Sequence, residues 1–547
     1  MPKKPAYLGV LSDYPRAVTH LRWQFQKKRF GLVLGAGISR HFKVPLWDNL
    51  VLAIAADPLV DGLALIEGEA KKNSLPYRTE MLFQRFRSRF LAELTSVAQL
   101  ERENSVTAAW HTLCRGHIYG AHPIDLEAEL PKHPYLESLI PLVQGSHLTI
   151  NFNFDDFLER SLARRKRKQD KGNRGFEAVT DPWPQFRRTD TVIYHPHGYV
   201  PTGSMEGPVD RFVFSEAGYS KQYVGANGHD ASFLTAHFAR NTCLLVGCSL
   251  EDELRMVLMR GAQMNPGNYH YYVHFLSDGK KLIDEERLLI EDTNFKVYNL
   301  ITLFLTATQI ALLLKVINPE TVADAELLDS ASICKTKLKY TYYMTGPIGV
   351  GKSTTANLLR SLAVLDEWLE PRLEILGRPW DSLTKEEANK ADDWIVDQFR
   401  KKNDSLRHES TPVISVVDRP PLDPLAFTKE DARPTKASAL LSAICPSEAH
   451  ELEPGVVILL TGIPEELSAR VKATGRLEYT AQKLKDMQET MKEIYAGHPG
   501  VVSISTDFLS IPELTKRVAQ IIHRDKYEPA NLMAMLKAHE ARGNGPE

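Results

Sequence analysis

The chain has 547 residues and a formal net charge of −2, with 43% hydrophobic and 25% charged residues. These values are ordinary for a soluble globular protein and leave room for two to four domains. The balanced charge excludes a global field that would draw the whole chain to nucleic acid or to an acidic membrane.

The cysteines and the apolar runs further restrict the class of protein. No two of the five cysteines form a C-x-x-C pair, so their spacing predicts neither a zinc framework nor a disulfide scaffold. The N-terminal residues lead into no apolar signal segment. The longest uncharged apolar run, Leu300–Leu314, is short for a membrane span, and we expect a buried strand followed by a helix there. We therefore expect a cytoplasmic protein without membrane association.

The first informative stretch is Gly31–Ser39, an apolar run that breaks into a glycine turn after a predicted helical N-terminus. Gly35 and Gly37 allow a tight turn and a close approach of a ligand, and Ser39 can supply a hydroxyl or cap the next helix. Free amides and the dipole of that helix favour an anion, so the stretch predicts a pyrophosphate site. An ordinary tight turn also fits, because Arg40 replaces the third glycine of G-x-G-x-x-G.

Residues 60–145 lie between the strand that precedes Gly35 and the next predicted strand. They have helical periodicity, which we interpret as a helical insert on an α/β frame.

A polar cluster follows that next predicted strand. The strand from His147 ends in Asn153, Asp155 and Asp156. Ligands of parallel α/β sheets bind outside the carboxyl ends of strands, so these side chains can bind a ribose or orient a water. They can also cap the next helix, and the two roles can coexist.

Two histidines follow the strand that begins at Thr191. His197 precedes Gly198 where the strand ends, and its imidazole can act as a base near neutral pH. His195 is either a partner of His197 or uninvolved.

The remaining features of the first half are strands and one basic run. The strand Cys243–Val246 ends in the turn Gly247–Ser249, and further strands are predicted at residues 270–275 and 295–305. The basic run Arg164–Lys168 fits a solvated loop better than a nucleic-acid patch.

Four of these motifs occur in the order and context of the sirtuin family. They are Gly35-Ala36-Gly37-Ile38-Ser39, Asn153-Phe154-Asp155, His197-Gly198 and Gly247-Cys248-Ser249. They most resemble the prokaryotic sirtuin-like NAD-consuming domains of antiphage defence proteins, over roughly residues 25–315. The resemblance implies an NAD+ site in a Rossmann-like domain with a helical module beside it.

The same resemblance implies a role for each motif. The turn of residues 35–39 holds the pyrophosphate, Asn153 and Asp155 lie by the nicotinamide ribose, and His197 is the catalytic base. Gly247 and Ser249 lie against the adenosine. Cleavage of the nicotinamide–ribose bond builds oxocarbenium character, so Asn153 can position the attacking water and His197 can take a proton. Such acid–base help typically contributes about 10²–10⁴-fold in rate.

One departure from the family affects the expected reaction. Deacetylating sirtuins carry a four-cysteine zinc ribbon, which helps to frame their peptide groove and is absent from this sequence. Its absence favours plain NAD+ hydrolysis over protein deacylation without excluding the latter.

A second domain is predicted after a polar stretch without a strong period, so we divide the chain into residues 1–325 and 326–547. The strand Leu338–Met344 leads into Gly346–Thr355, which matches G-x-x-x-x-G-K-[ST] in the strand–loop–helix context. Such a loop cradles phosphates, while Lys352 reaches the β and γ oxygens and Ser353 can ligate Mg²⁺. The predicted nucleotide-binding residues of this loop are Gly346, Gly349, Gly351, Lys352, Ser353 and Thr354.

Charged side chains follow the next strand, at residues 411–418. Asp418 can hold the metal shell or act as a base, and Arg419 can hold a second phosphate, with Asp423 close behind. Arg470 and Arg476 lie in a lid-like segment and fit either phosphate contacts or surface charge. Strands are also predicted at 456–462 and 501–505, a helix at 511–522, and either a docked helix or disorder from about Tyr527.

These pieces resemble the nucleoside and nucleotide kinases of the thymidylate-kinase and deoxynucleoside-kinase type, over roughly residues 336–525. The resemblance implies a doubly wound P-loop domain that binds ATP or another nucleotide with Mg²⁺. Because the lid-like segment is poor in arginine, the domain can also be a nucleotide sensor with little catalysis.

The sequence thus predicts an α/β protein in which a Rossmann-like sirtuin domain with a helical insert precedes a P-loop kinase-like domain. We expect an NAD+ glycohydrolase of antiphage defence, gated by the nucleotide-binding domain, in a homo-oligomer that responds to a phage-derived trigger. One alternative is a nucleoside or nucleotide kinase regulated by NAD+ or an ADP-ribose derivative. Another is a zinc-free deacylase or ADP-ribosyltransferase. A nucleic-acid partner is not expected.

Overall fold

The computed structural model describes residues 6–42, 44–93, 99–120, 124–146, 148–168, 175–181, 191–202, 213–219, 229–250, 252–277, 282–319, 338–378, 382–408, 413–447, 450–474 and 479–542. The chain divides into two compact units. The first consists of Met1–Tyr14, Gln24–Met264 and Tyr269–Cys334, and the second of Pro15–Trp23, Asn265–Asn268 and Lys335–Glu547. The predicted boundary near residue 325 lies in the segment 320–337, outside the described residues, and stays a prediction.

The first unit contains a sheet of seven strands, all parallel, in the order β3-β4-β2-β1-β5-β6-β7. The strands are β1 (Phe30–Leu34), β2 (Leu148–Asn151), β3 (Phe176–Val179), β4 (Thr191–Tyr194), β5 (Thr242–Val246), β6 (His270–Phe275) and β7 (Leu300–Leu305). This sheet is consistent with the Rossmann-like fold predicted for the first half.

The centre of this sheet is built from continuous apolar runs. All five residues of β1 and all five of β5 are buried, which is typical of parallel strands covered on both faces. Val33, Ile150, Tyr194 and Leu245, from four neighbouring strands, belong to one buried cluster. The sheet is therefore a rigid platform for the loops at its edge.

Helices surround this sheet, and those between β1 and β2 confirm the predicted helical insert. Between β1 and β2 lie α3 (Trp47–Ala55), α4 (Leu63–Glu67), α5 (Leu75–Glu93), α6 (Gln99–Tyr119), α7 (Leu126–Glu129) and α8 (Pro134–Gly145). The others assigned to this half of the chain are α1 (Ala6–Asp13), α2 (Pro15–Gln26), α9 (Phe157–Lys168), α10 (Glu216–Tyr219), α11 (His229–Arg240), α12 (Asp252–Met264), α13 (Asp284–Tyr298) and α14 (Ala307–Ile317).

The structure corrects two local predictions. Residues 295–298 end α13 and do not begin a strand, because Asn299 takes a left-handed conformation (φ 51°) that closes the helix before β7 starts. The basic run 164–168 lies in α9 and not in a loop. Arg164 pairs there with Glu127 and with Glu137, at 3.5 Å from the latter, and its side chain is only 19% exposed.

The second unit contains a five-stranded parallel sheet in the order β12-β11-β8-β10-β9. The strands are β8 (Lys339–Thr345), β9 (Ala363–Leu365), β10 (Val413–Asp418), β11 (Val456–Thr461) and β12 (Val501–Ser505). The helices are α15 (Lys352–Leu358), α16 (Lys385–His408), α17 (Arg433–Ile444), α18 (Pro464–Ala473), α19 (Ala481–Tyr495), α20 (Ile511–His523) and α21 (Leu532–Ala541).

The end of the chain is helical through α21. Leu532, Met535 and Leu536 of this helix are buried in the same apolar cluster as Tyr495 and Leu440 of the second unit. Burial of these side chains therefore favours the docked helix over the predicted alternative of disorder. Residues 543–547 lie outside the described part. No helix in the described ranges is long and apolar enough to cross a membrane.

Candidate functional site

A cavity of about 870 Å³ opens at the carboxyl edge of the seven-stranded sheet. Because all strands are parallel, the segments that follow β1, β2, β4 and β5 meet at this edge. Nearly all of the predicted site residues of the first unit line the cavity. They are Gly35, Ala36, Gly37, Ile38, Asn153, Asp155, His197, Gly247 and Ser249.

The glycine turn after β1 packs directly against the turn after β5. A Cβ atom on Gly35 would lie 2.5 Å from the Cys248 Cα, and one on Gly37 would lie 2.8 Å from the Gly247 Cα. Gly247 has a left-handed φ of 71°, and its Cβ would lie 2.6 Å from the Ile38 nitrogen. Glycine is therefore required here by the contact between two turns, whereas the sequence had suggested the approach of a ligand.

The amides of the turn are largely engaged within the protein. Gly35 N–H donates to Val246 O (3.1 Å) and Gly37 N–H to Gly247 O (2.8 Å). Ile38 N–H and Ser39 N–H donate back to Gly35 O and Ala36 O. The predicted row of free amides is therefore wrong for these four groups, because the turn is tied to its neighbour and to itself.

The predicted helix directly after the turn is also wrong. Two 3-10 turns of three residues each, Ala36–Ile38 and Arg40–Phe42, follow β1, and α3 begins only at Trp47. Turns of this length carry little of the macrodipole that a regular α-helix builds along its axis.

Ser39 lies behind the cavity lining and joins two predicted catalytic residues. Its buried hydroxyl accepts a hydrogen bond from the Asn153 Nδ2 at 3.2 Å and donates to the Asp155 carboxylate. The Asn153 Oδ1 is buried without a hydrogen-bond partner among the described residues. This orphaned oxygen is available to a ligand or a water, since buried polar atoms are rarely left unpaired.

Asp155 combines a structural and an electrostatic role. Its Oδ1 accepts a hydrogen bond from the Phe157 N–H at 3.2 Å, which caps α9 as predicted. Burial raises the pKa of Asp155 to about 6, although the hydrogen bonds from Ser39 and Phe157 oppose the shift. Asp156, the next residue, is bound by the Thr202 amide (2.7 Å) and hydroxyl (2.8 Å) and fixes the turn after β4.

His197 lies among aromatic rings at the cavity wall. Its ring centroid is 5.1 Å from that of Phe152, 6.1 Å from that of Trp47 and 6.3 Å from that of Phe154. Desolvation by this surrounding lowers the pKa of His197 to about 3. The imidazole is therefore neutral at physiological pH, and the same desolvation makes it a weaker base than an exposed histidine.

The sequence left His195 open and missed its partner, Glu159. His195 is fully buried, with Nε2 at 2.8 Å from the Glu159 Oε1 and Nδ1 at 3.1 Å from the Asn153 main-chain oxygen. Glu159 lies on the first turn of α9, one helical turn after Asp155. The only sequence signals for this pair were two spacings: Glu159 follows Asp155 by four residues, and His195 precedes His197 by two.

Several other lining residues carried no sequence signal for a site. Arg40 had been noted only as a missing glycine, and Trp47, Glu253 and Tyr272 had not been considered. Trp47 and Glu253 reach the cavity from α3 and α12, and Tyr272 reaches it from within β6, so none of the three follows from the residues after a strand end.

The second unit places the predicted phosphate-binding loop after β8. Gly346, Gly349 and Gly351 all have left-handed φ values, of 144°, 84° and 102°. A Cβ on Gly346 would lie 2.3 Å from the Leu460 oxygen. The Lys352 Nζ donates to the carbonyls of Gly346 (2.7 Å) and Pro347 (3.0 Å), so the side chain folds over the loop. Desolvation lowers the pKa of Lys352 to about 8.

Asp418 meets Ser353 beside this loop. The Ser353 hydroxyl donates to the Asp418 Oδ2 at 2.8 Å, while the Asp418 Oδ1 is buried with no partner among the described residues. A hydroxyl beside an unsatisfied carboxylate oxygen fits the oxygen-ligand preference of Mg²⁺. Thr354 is exposed on the first turn of α15.

Arg419 is held by two acidic side chains and has a left-handed backbone (φ 70°). Its Nε donates to the Glu367 Oε1 (2.7 Å) and its Nη1 to the Asp423 Oδ2 (3.1 Å). The Asp423 Oδ1 in turn accepts hydrogen bonds from the hydroxyls of Thr345 (2.6 Å) and Tyr495 (2.9 Å). Arg419 is therefore a paired cation, and the sequence missed Glu367.

The two arginines of the lid-like segment are only partly described. Arg470 is exposed and pairs with Glu466 one helical turn away at 3.2 Å, which agrees with the surface-charge alternative. Arg476 lies outside the described residues.

Comparison with known proteins bears on the first unit. No curated protein matches the chain. A family model described as a SIR2-like domain matches residues 147–298, a range that contains Asn153, Asp155, His197, Gly247 and Ser249. SIR2-like domains bind NAD+, so the match supports the predicted sirtuin-like domain and an NAD-related activity for it.

Proposed function

We propose that the first unit is an NAD+ glycohydrolase that releases nicotinamide and ADP-ribose. The observation that carries the proposal is the convergence of Asn153, Asp155 and His197 on one cavity with the glycine turn after β1. The volume of the cavity suits a ligand of the size of a dinucleotide.

The chemistry of these side chains suits hydrolysis of the nicotinamide–ribose bond. The bond between C1′ and the nicotinamide nitrogen breaks, and neutral nicotinamide leaves with the bonding electron pair. A water oxygen bonds to C1′, and neutral His197 takes the proton of that water. The Asn153 Oδ1, unpaired among the described residues, can orient the water. The Asp155 carboxylate stabilises the positive charge that develops on the ribose.

For the second unit, we extend the proposal to the binding of ATP or another nucleotide on the loop Gly346–Lys352. Ser353 and Asp418 would hold its Mg²⁺, which supplies charge neutralisation to the phosphates. The Ser353 hydroxyl, which lies 2.8 Å from the Asp418 Oδ2, and the orphaned Asp418 Oδ1 support this part.

The wider proposal is that nucleotide binding gates the hydrolase, in an antiphage effector that depletes NAD+. It is supported by the resemblance of the motifs to those of antiphage proteins, and by the harm that an ungated hydrolase would do to its host. A shift from 1:99 to 99:1 requires roughly 5.5 kcal/mol of differential binding. A nucleotide, a phage-derived trigger or assembly into a homo-oligomer can supply this difference.

A second candidate is a nucleoside or nucleotide kinase in which the first unit only binds NAD+ or ADP-ribose. The pairing of Ser353 with Asp418 and the buried charges around Arg419 favour it, since phosphoryl transfer needs such groups. A release of ADP from ATP that depends on an added nucleoside would distinguish this kinase from a domain that only senses nucleotides. Transfer to a peptide without free ADP-ribose would instead indicate a deacylase or an ADP-ribosyltransferase.

The test is NAD+ consumption by the purified full chain, with and without a panel of nucleoside mono- and triphosphates. We expect nicotinamide and ADP-ribose, abolished in His197→Ala at an unchanged melting temperature. If wild type and His197→Ala release nicotinamide equally, the assignment of the site is wrong. If Lys352→Ala and every nucleotide leave the rate unchanged, the gating proposal is wrong while the hydrolase stands.

A further inference from the structure

The cavity of the first unit contains one permanently charged cation. Arg40 is the only lysine or arginine among the described lining residues, and its side chain is exposed. Within the described part of the chain it makes no ion pair and no side-chain hydrogen bond. By contrast, Asp48 at the same cavity is paired with Arg78 at 2.8 Å. A guanidinium left without a partner at a cavity wall is a ready site for an anion.

The neighbouring main chain offers little to an anion. The amides of Gly35, Gly37, Ile38 and Ser39 donate to carbonyl groups of the protein. The segments that follow β1 are 3-10 turns of three residues each, so no α-helix begins there. These four amides are therefore not offered to an anion, and Arg40 is the charged donor beside them.

The aromatic groups next to Arg40 are already fixed. The His41 Nδ1 lies 2.7 Å from the Tyr135 hydroxyl, which donates to the Ile38 oxygen at 2.9 Å. The His41 ring also stacks on His133, with centroids 4.6 Å apart. These contacts hold the main chain that carries Arg40, so only the Arg40 side chain has to be ordered when an anion binds.

The other charged groups of the cavity are acidic. Asp155 and Glu253 line it together with Arg40. A ligand that suits this wall carries a negative group and, at a distance from it, a positive group, as NAD+ does with its bridging diphosphate and its nicotinamide ring. The opposed charges also give such a ligand one orientation in the cavity.

We propose that Arg40 binds the diphosphate of the substrate and selects diphosphate-bridged dinucleotides over uncharged nucleosides. The inference rests on the proposed function, because NAD+ is the ligand considered. The guanidinium donates two hydrogen bonds to phosphate oxygens, a geometry that lysine cannot reproduce. Arg40 acts in binding and leaves the chemical step to the residues after β2 and β4.

The test is the equilibrium binding of ADP-ribose and of adenosine to the full chain by calorimetry, which requires no turnover. Charged hydrogen bonds contribute about 1.5–3 kcal/mol, so Arg40→Gln is expected to weaken ADP-ribose binding by about 10- to 100-fold. Arg40→Lys is expected to lose less, and adenosine binding should not change. Arg89→Gln, an exposed arginine that pairs with Asp61 and does not line the cavity, is the matched control.

The outcomes separate the two proposals. Equal ADP-ribose affinity in wild type and Arg40→Gln would overturn the role of Arg40 and leave the hydrolase untouched. An equal loss of adenosine and ADP-ribose binding would indicate a general disturbance of the cavity and would also overturn it. If wild type binds neither ADP-ribose nor NAD+, the proposed function itself fails, and the inference fails with it.

Discussion

The Oε1 of Glu159 lies 2.8 Å from the Nε2 of His195, and both side chains are buried. The other nitrogen of His195 lies 3.1 Å from the main-chain oxygen of Asn153. Both ring nitrogens thus face oxygen atoms, which fixes the orientation of the ring. The pair ties α9 and the end of β4 to the segment that carries Asn153.

The first prediction concerns this pair. Glu159→Ala leaves a buried ring nitrogen without its partner, and the expected loss in the free energy of unfolding is about 1–3 kcal/mol. Glu159→Gln is the control, because its amide can donate to a neutral His195 that still donates to Asn153. We expect Gln to retain most of the stability and Ala to lose it in urea unfolding. Equal losses in both variants would show that the bond to His195 does not stabilise the fold.

The second prediction concerns the pH dependence of hydrolysis. Burial raises the pKa of Asp155 to about 6, so the folded protein keeps this proton up to that pH and the carboxylate forms above it. The rate of nicotinamide release should therefore rise with pH through about 6. His197, with a pKa of about 3, stays neutral throughout this range, so its own titration causes no change in the rate. A pH–rate profile that is flat from 5 to 8 would contradict the role given to the Asp155 carboxylate.

The same pKa values have opposite effects on stability. The folded pKa of Asp155 lies above its ordinary value of 3.8, so its contribution to stability falls as pH rises from 3.8 to about 6. The folded pKa of His197 lies below its ordinary value of 6.5, so its contribution rises with pH between about 3 and 6.5. Activity and unfolding must therefore be measured on the same samples.

The third prediction concerns the contact between the two turns. Gly247→Ala places a methyl group 2.6 Å from the Ile38 nitrogen at a left-handed φ, and the expected loss of stability is about 2–4 kcal/mol. Gly116→Ala is the control: it lies in α6, and its Cβ would meet no atom within 4 Å. We expect that substitution to be neutral or to stabilise by up to about 1 kcal/mol. If thermal unfolding does not separate the two variants, the turns are not packed as described.

The fourth prediction concerns nucleotide binding by the second unit. Desolvation lowers the pKa of Lys352 to about 8, so its ammonium charge is lost as pH rises through 8. The affinity for Mg–ATP should fall between pH 7 and pH 9, and Lys352→Gln should weaken binding at both. Lys401→Gln is the control and should behave as wild type, because Lys401 is half-buried and paired with Glu370 and Asp397.

A second buried lysine checks this interpretation. Desolvation also lowers the pKa of Lys402 to about 8, and its Nζ donates to the Asp418 main-chain oxygen at 2.7 Å. If residual binding by Lys352→Gln keeps the full pH dependence, the titration belongs to Lys402 and the role given to Lys352 is wrong.

The sequence determined the strands except β3 and β9, and it identified nine residues of the cavity. Apolar runs of five or six residues become central strands because only buried parallel strands tolerate them. Parallel pairing then brings the polar residues at the strand ends to one edge. The convergence of Asn153, His197 and Gly247 could therefore be predicted from their places along the chain.

Only the tertiary structure decided how those residues are used. The partners of the Gly35 and Gly37 amides could not be assigned beforehand, because Val246 and Gly247 lie more than two hundred residues away along the chain. The same holds for the Glu159–His195 pair and for the exposure of Arg40. Strand ends follow from local pattern, whereas hydrogen-bond partners and unpaired charges depend on which distant groups the fold brings within about 3 Å.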